Sequence, residues 1–134
     1  MKILGIDYGR AKIGVAVAEG KFSEPLKVIR YSDIATIIQQ IKKIVEDEKI
    51  DKVVVGVSEG SMAEETKKFL STIGNQLSTI RFETFDETLT SQDAQRLSRE
   101  AGISRKKRRG MEDAFAASIM LQNYLDSRGP EELS

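Results

Sequence analysis

Apolar residues recur along this chain in two rhythms. The first thirty residues alternate or run apolar over short stretches. Such spacing predicts a strand over 2–7, a turn at Gly9 and a second strand over Lys12–Ala18, close enough to the first to form a hairpin. A loop at Glu19-Gly20-Lys21 leads past Pro25 to a third strand over 26–30. The rhythm then changes. Ile34, Ile37, Ile38, Ile41, Ile44 and Val45 fall at helical spacing behind Ser32 or Asp33 as a cap. KVVVGV, residues 52–57, is a β-branched run of the kind buried on both faces of a sheet. A second helix is predicted over 63–77, an alternating strand over 79–85, and a third helix over 91–100 capped by Thr90 or Ser91. Residues 102–110 read as a glycine-bounded basic loop and 111–125 as the last helix.

This order, three strands and then strands separated by helices, restricts the topology. Strands joined by tight turns are most simply antiparallel, and strands joined through helices are most simply parallel. One sheet satisfies both: a mixed five-stranded α/β sheet in order 3-2-1-4-5, flanked by helices, which is the RNase H-like architecture. A chain of 134 residues is long enough to bury one such core. The expectation is one RNase H-like domain over 1–127, followed by a flexible C-terminal tail over 128–134.

Composition narrows the chemistry. Twenty-one basic residues balance 21 acidic ones, so no net charge draws the whole molecule to nucleic acid, although a local patch can. No apolar run approaches the twenty residues of a membrane span, and the start lacks the pattern of a signal peptide. A cytoplasmic protein without a membrane partner is expected. There is no Cys and no His. That removes disulfides, thiolate nucleophiles, the Ser-His-Asp triad and the commonest zinc ligands and general base. Any catalysis falls to carboxylates, hydroxyls, Lys, Tyr or a metal, and carboxylate oxygens suit Mg²⁺ or Mn²⁺.

In the expected sheet, strands 1, 4 and 5 run parallel, and ligands of open α/β sheets bind beyond the carboxyl ends of such strands. Asp7 ends strand 1, Asp86 and Glu87 end strand 5, and Glu112 and Asp113 open the last helix. Small residues on that helix, Ala114, Ala116 and Ala117, allow it to lie close to the sheet. Two metal ions about 3.5–4 Å apart clamp the attacking and leaving oxygens of a phosphodiester exchange and need oxygens from several elements. Asp7, Glu87 and Asp113 offer them, with Glu59 after strand 4 as a rival to Glu87, which must reach across that strand. Each acid also has a plainer reading. Asp7 can stabilise the Tyr8-Gly9 turn, Asp86 and Glu87 can cap a helix, and Glu112 and Asp113 can be ordinary first-turn acids.

At these residues the chain resembles the YqgF/RuvX family, the Holliday-junction-resolvase-like pre-16S rRNA nucleases. The likeness rests on IDYGRAKIGVAVAE, VVVGV, FDETLTSQDA and RGMEDAFAASIMLQNYLD, and it spans nearly the whole chain. The resemblance implies an RNase H and RuvC-like fold and metal-dependent cleavage of phosphodiesters in maturing the 5′ end of pre-16S rRNA, with Holliday-junction DNA as a further substrate. It implies Asp7, Glu87 and Asp113 as catalytic, metal-holding acids, with Asp7 bridging two Mg²⁺ or Mn²⁺ ions that activate water. Three positions depart from the family's pattern. Thr88 follows the Asp-Glu pair where Arg is usual, Gly-Val-Ser-Glu-Gly replaces a longer Gly-Leu-Pro loop after strand 4, and Glu112 stands where an aliphatic residue is usual.

Five consecutive cations, Arg105, Lys106, Lys107, Arg108 and Arg109, lead into the helix of Asp113. A charge run is ordinarily a solvated surface. Beside an acid edge it becomes a candidate contact for a nucleic-acid backbone, extended by Arg10 and Lys12. Such contacts position a substrate without reading its sequence. The expected partner is structured RNA or branched DNA, bound by a monomer or a homodimer. Two other readings remain at this level: a nucleic-acid-binding module without catalysis, and a phosphotransferase of the actin and sugar-kinase type, to which Asp7, Gly9 and Gly14 bear some likeness. The latter class needs two such domains, and this chain has room for one.

Overall fold

The computed structural model describes residues 1–8, 12–30, 32–57, 62–77, 79–86 and 105–127, with the backbone alone at 62–66, 86 and 105–109. The elements are β1 (Lys2–Tyr8), β2 (Lys12–Glu19), β3 (Phe22–Arg30), α1 (Ile34–Glu48), β4 (Lys52–Val57), α2 (Met62–Gln76), β5 (Arg81–Asp86) and α3 (Arg105–Asp126). The strands form one sheet in the order β3-β2-β1-β4-β5. β1 pairs antiparallel with β2 and parallel with β4, and β5 lies parallel to β4. The topology expected from the alternation of elements is the one observed. The helix expected over 91–100 lies outside the described residues.

Alternation along the strands sorts side chains onto two faces. Leu4, Ile6, Ile13, Val15, Val17, Val53 and Val55 form one core with the apolar stripes of α1 and α2. Ile3, Ala16, Ala18 and Val54 form another with Ala117, Met120, Leu121, Tyr124 and Leu125 of α3. The apolar spacing of 34–45 therefore buries as a helix should, with Ile37, Ile38, Ile41, Ile44 and Val45 all inside. Asp33 caps α1 by accepting from the Thr36 backbone N–H at 2.8 Å. Lys49, in the left-handed region at φ 55°, ends it. The turn delivers Asp51, whose N–H donates to the Lys2 carbonyl at 2.8 Å while its carboxylate accepts from the Lys2 N–H at 2.7 Å. Those two bonds fix the start of β4 beside β1. The parallel register then runs from Ile3 opposite Lys52 to Asp7 opposite Gly56.

Most boundaries fall within two residues of the expectation, and two differ by more. β3 begins at Phe22 rather than at residue 26. Pro25 lies inside it, opposite Ala16, and Leu26 is the extra residue where the register shifts between Val15 and Ala16. An edge strand accommodates a proline because its outward N–H has no ladder partner to lose. The larger correction concerns the basic run. Residues 105–109 are not a loop; they are the first turns of α3, which begins at Arg105 rather than at Met111. Lys and Arg are good helix formers, and Gly110 weakens a helix interior by about 1 kcal/mol without ending it. Glu112 and Asp113 therefore stand about two turns inside α3 and are not first-turn acids.

Candidate active site

Asp7 is the last but one residue of β1 and is half-buried. Its cross-strand partner on β2 is Gly14 and its neighbour on β4 is Gly56. Paired residues of a sheet project to the same face, and neither residue paired with Asp7 carries a side chain. Asp7 is thus flanked by a glycine on each neighbouring strand.

α3 crosses the sheet at Gly14. A Cβ placed on Gly14 would overlap the Asp113 carbonyl group outright and approach the Ala114 nitrogen to 3.0 Å. A Cβ on Gly5 would meet Leu121 Cβ at 3.0 Å. Asp113 thus lies over the carboxyl end of β1 and Leu121 over its middle, so α3 runs antiparallel to β1. Ala114, Ala116 and Ala117 are buried, and the close approach expected from their size is what the backbone makes. Asp113 is half-buried while Glu112 is exposed, so the two adjacent acids occupy different surroundings. Eight residues of α3, about 12 Å of helix, precede Asp113. β1 continues only one residue past Asp7, so the backbone of the Arg105–Arg109 run extends beyond the sheet edge.

Lys12 opens β2 two positions from Gly14 and shares its face, so it stands beside Asp7 at the same edge. Tyr8 faces the other way and packs its ring on Phe69 of α2, centroids 4.7 Å apart. It anchors the end of β1. Glu87, Thr88, Glu59 and Arg10 lie outside the described residues. Among the described residues, no three acidic side chains cluster. Asp7 and Asp113 are the two members of the expected triad that fall within them.

A network that sequence reasoning missed ties the elements of the site together. Lys52 Nζ donates to the Tyr124 hydroxyl at 2.6 Å and pairs with Glu83 at 2.6 Å, and the hydroxyl donates to Glu83 at 2.6 Å. Burial alone would lower the Lys52 pKa. Its hydrogen bonds to Glu83 and Tyr124 outweigh that and leave it above the ordinary value. Tyr124 also meets Phe85 edge-on, at 5.8 Å between centroids. α3 is thereby fastened to β5 two residues before Glu87. On the other side Ser23 donates to the Ser118 carbonyl at 2.6 Å, and Gln122 accepts from the Ser23 N–H at 2.9 Å, joining α3 to the β2–β3 hairpin.

A family model described as RuvX, Holliday junction resolvase, matches residues 1–127. This chain belongs to the RuvX family. Among relatives of this RuvX chain, a protein of Natranaerobius thermophilus named "Putative pre-16S rRNA nuclease" is 37% identical, the match covering 94% of each chain. Another of the same name from Acetivibrio thermocellus is 33% identical over 96% of this chain and 98% of that one. Solved structures share the fold at low identity. T. thermophilus RuvC in complex with Holliday junction substrate superposes with a TM-score of 0.62 at 13% identity, covering 94% of this chain and 96% of that one. The fowlpox virus Holliday junction resolvase does so with a TM-score of 0.61 at 13% identity, covering 95% and 99%. Among the described residues, no helix is long and apolar enough to cross a membrane.

Proposed function

We propose that this RuvX-family chain is a divalent-metal-dependent nuclease that hydrolyses phosphodiester bonds in maturing the 5′ end of pre-16S rRNA, with branched DNA as a second substrate. The observation that supports the reading is the seating of the Asp113 main chain on Gly14, the cross-strand partner of Asp7. Two half-buried acids from different elements lie toward the edge where an open α/β sheet takes its ligands. They are hard oxygen donors, with no thiolate or imidazole in the chain to compete. This donor set fits Mg²⁺ or Mn²⁺.

Asp7, Asp113 and Glu87 would hold the ions. Bound there, the metal would supply Lewis-acid polarisation of the phosphodiester and a nucleophile at neutral pH. The protein's residues do the placing. Lys12, Arg10 and Arg105–Arg109 hold the phosphate backbone along the acid edge. Cations in the first turn of a helix face the positive end of its macrodipole, which is unfavourable until an anion arrives. A phosphate chain along the start of α3 relieves that repulsion and releases counterions, so binding should weaken steeply with salt. The protein works in the cytoplasm, where its RNA substrate is.

The test is incubation of purified protein with 5′-extended 16S precursor RNA and with a four-way DNA junction, in Mg²⁺, Mn²⁺ or chelator. Cleavage that needs metal and falls by about a hundredfold or more in Asp7→Asn and Asp113→Asn is the expected result. Retained binding with no cleavage in any metal would make the chain a nucleic-acid-binding module instead.

A further inference from the structure

Gly14 is where α3 comes closest to the sheet, and it is paired with Asp7. What a side chain there would strike is main chain, the Asp113 carbonyl, rather than the movable tip of a side chain. Rotamer adjustment offers no relief. Either the helix or the strand must retreat by roughly an ångström or more to restore ordinary contact. Gly5 differs. An added Cβ there meets only the Leu121 side chain at 3.0 to 3.4 Å, which can give. Retreat at Gly14 would fall on the Asp7–Asp113 gap itself, since both residues border it.

We propose that Gly14 is a positioning residue for the metal centre: by having no side chain, it sets the separation of the Asp7 and Asp113 carboxylates. This rests on the metal-centre reading above and adds the residue that fixes its width. Two acids held a little too far apart still fold and still carry charge, but they no longer share an ion pair. Groups that fix first-layer ligands typically govern metal affinity by about ten- to hundredfold. Gly14→Ala should therefore weaken metal binding on that scale in a protein that remains folded.

The experiment is a Mn²⁺ titration followed by electron paramagnetic resonance, without nucleic acid, on variants checked for folding by circular dichroism. Gly14→Ala is expected to bind Mn²⁺ about ten- to hundredfold more weakly, and Gly5→Ala to bind as the parent does. A rescue separates spacing from general damage. Asp113→Glu lengthens the arm by one methylene, about 1.5 Å. It should weaken binding in the parent and restore part of it in Gly14→Ala. Should Gly14→Ala fail to fold, Ala16→Val carries the test, because Ala16 packs in the same cluster as Ala117 and Met120 and larger bulk there also lifts α3. Parental affinity in folded Gly14→Ala or Ala16→Val, or equal harm from Asp113→Glu in both backgrounds, would overturn the inference. Asp7→Asn distinguishes the layers. If it leaves Mn²⁺ binding intact, the metal-centre reading itself fails; if it abolishes binding while Gly14→Ala does not, only the spacing role is lost.

Discussion

The two faces of the sheet are made from the same strands, one residue out of step, and they are built to opposite specifications. Toward α1 and α2 the central strands present Leu4, Ile6, Ile13, Val15, Val17, Val53 and Val55. Toward α3 they present Ile3, Gly5 and Asp7 from β1, Gly14, Ala16 and Ala18 from β2, and Val54 and Gly56 from β4. Large β-branched side chains make a thick layer that excludes water and holds the helices at ordinary distance. Small ones let α3 approach until its main chain touches a strand. The difference teaches that strand parity separates two tasks: one face carries most of the apolar burial, and the other lets a helix that carries an acid lie close to the strand beside Asp7.

Ile13 and Gly14 are the sharpest way to break that comparison, because they are neighbours in β2 on opposite faces. Ile13 is fully buried. Ile13→Ala removes three carbons from the thick face and is expected to cost about 2–5 kcal/mol in urea unfolding, with Mn²⁺ affinity of the folded protein unchanged. Gly14→Ala should do the reverse, with its main effect on the ion. If Ile13→Ala weakened metal binding as much as Gly14→Ala did, the faces would not be independent.

Tyr124→Phe gives a smaller effect on the thin face. It removes the hydroxyl between Lys52 and Glu83 but keeps the ring against Phe85 and leaves the Lys52–Glu83 pair at 2.6 Å. About 1 kcal/mol of stability should be lost. Lys52 sharpens the point through pH. Its side chain is 18% exposed and its folded pKa lies above the ordinary value. A raised pKa stabilises fully below the unfolded value, about pH 10.4, and that stabilisation disappears as pH rises through the folded value. The stability advantage of the parent over Lys52→Met should thus be constant at neutral pH and shrink only on the alkaline side above about pH 10.4. A constant difference across that range would mean that the ammonium charge contributes nothing to the network.

The alternation of apolar residues was enough to order the elements because a strand or helix rhythm is local and survives without tertiary knowledge. Asp7 and Asp113 stand out as candidates for a related reason: one ends an apolar run and the other opens an alanine-rich stretch. What stayed hidden is non-local. Nothing in KIGVAVA says that Gly14, rather than any other glycine, faces a helix backbone from nearly a hundred residues away. Lys52, Glu83 and Tyr124 come from three elements, and each alone reads as an ordinary surface or core residue. The start of α3 was misread because a cation run and a glycine resemble a loop, although Lys and Arg favour helix. Pro25 suggested a strand limit that holds for a central strand and not for an edge.

The smallest effect belongs to Asp33, at the head of α1 on the thick face. Its carboxylate accepts from the Thr36 N–H at 2.8 Å and from the Thr36 hydroxyl at 3.0 Å. The backbone bond first, and the hydroxyl after it, hold its pKa below the ordinary value. A lowered pKa stabilises above the unfolded value and loses that stabilisation as pH falls through the folded one. Asp33→Asn keeps a capping oxygen but cannot titrate. Parent and variant should therefore unfold alike in their dependence on pH above about 4 and diverge only below it, where the parent alone loses its charged cap. Because the residue is exposed and far along the chain from either acid of the site, Mn²⁺ affinity at neutral pH should be the same in both. A measurable change in that affinity would show that α1 and the α3 face are coupled through the sheet, and that strand parity alone does not insulate the site from the core.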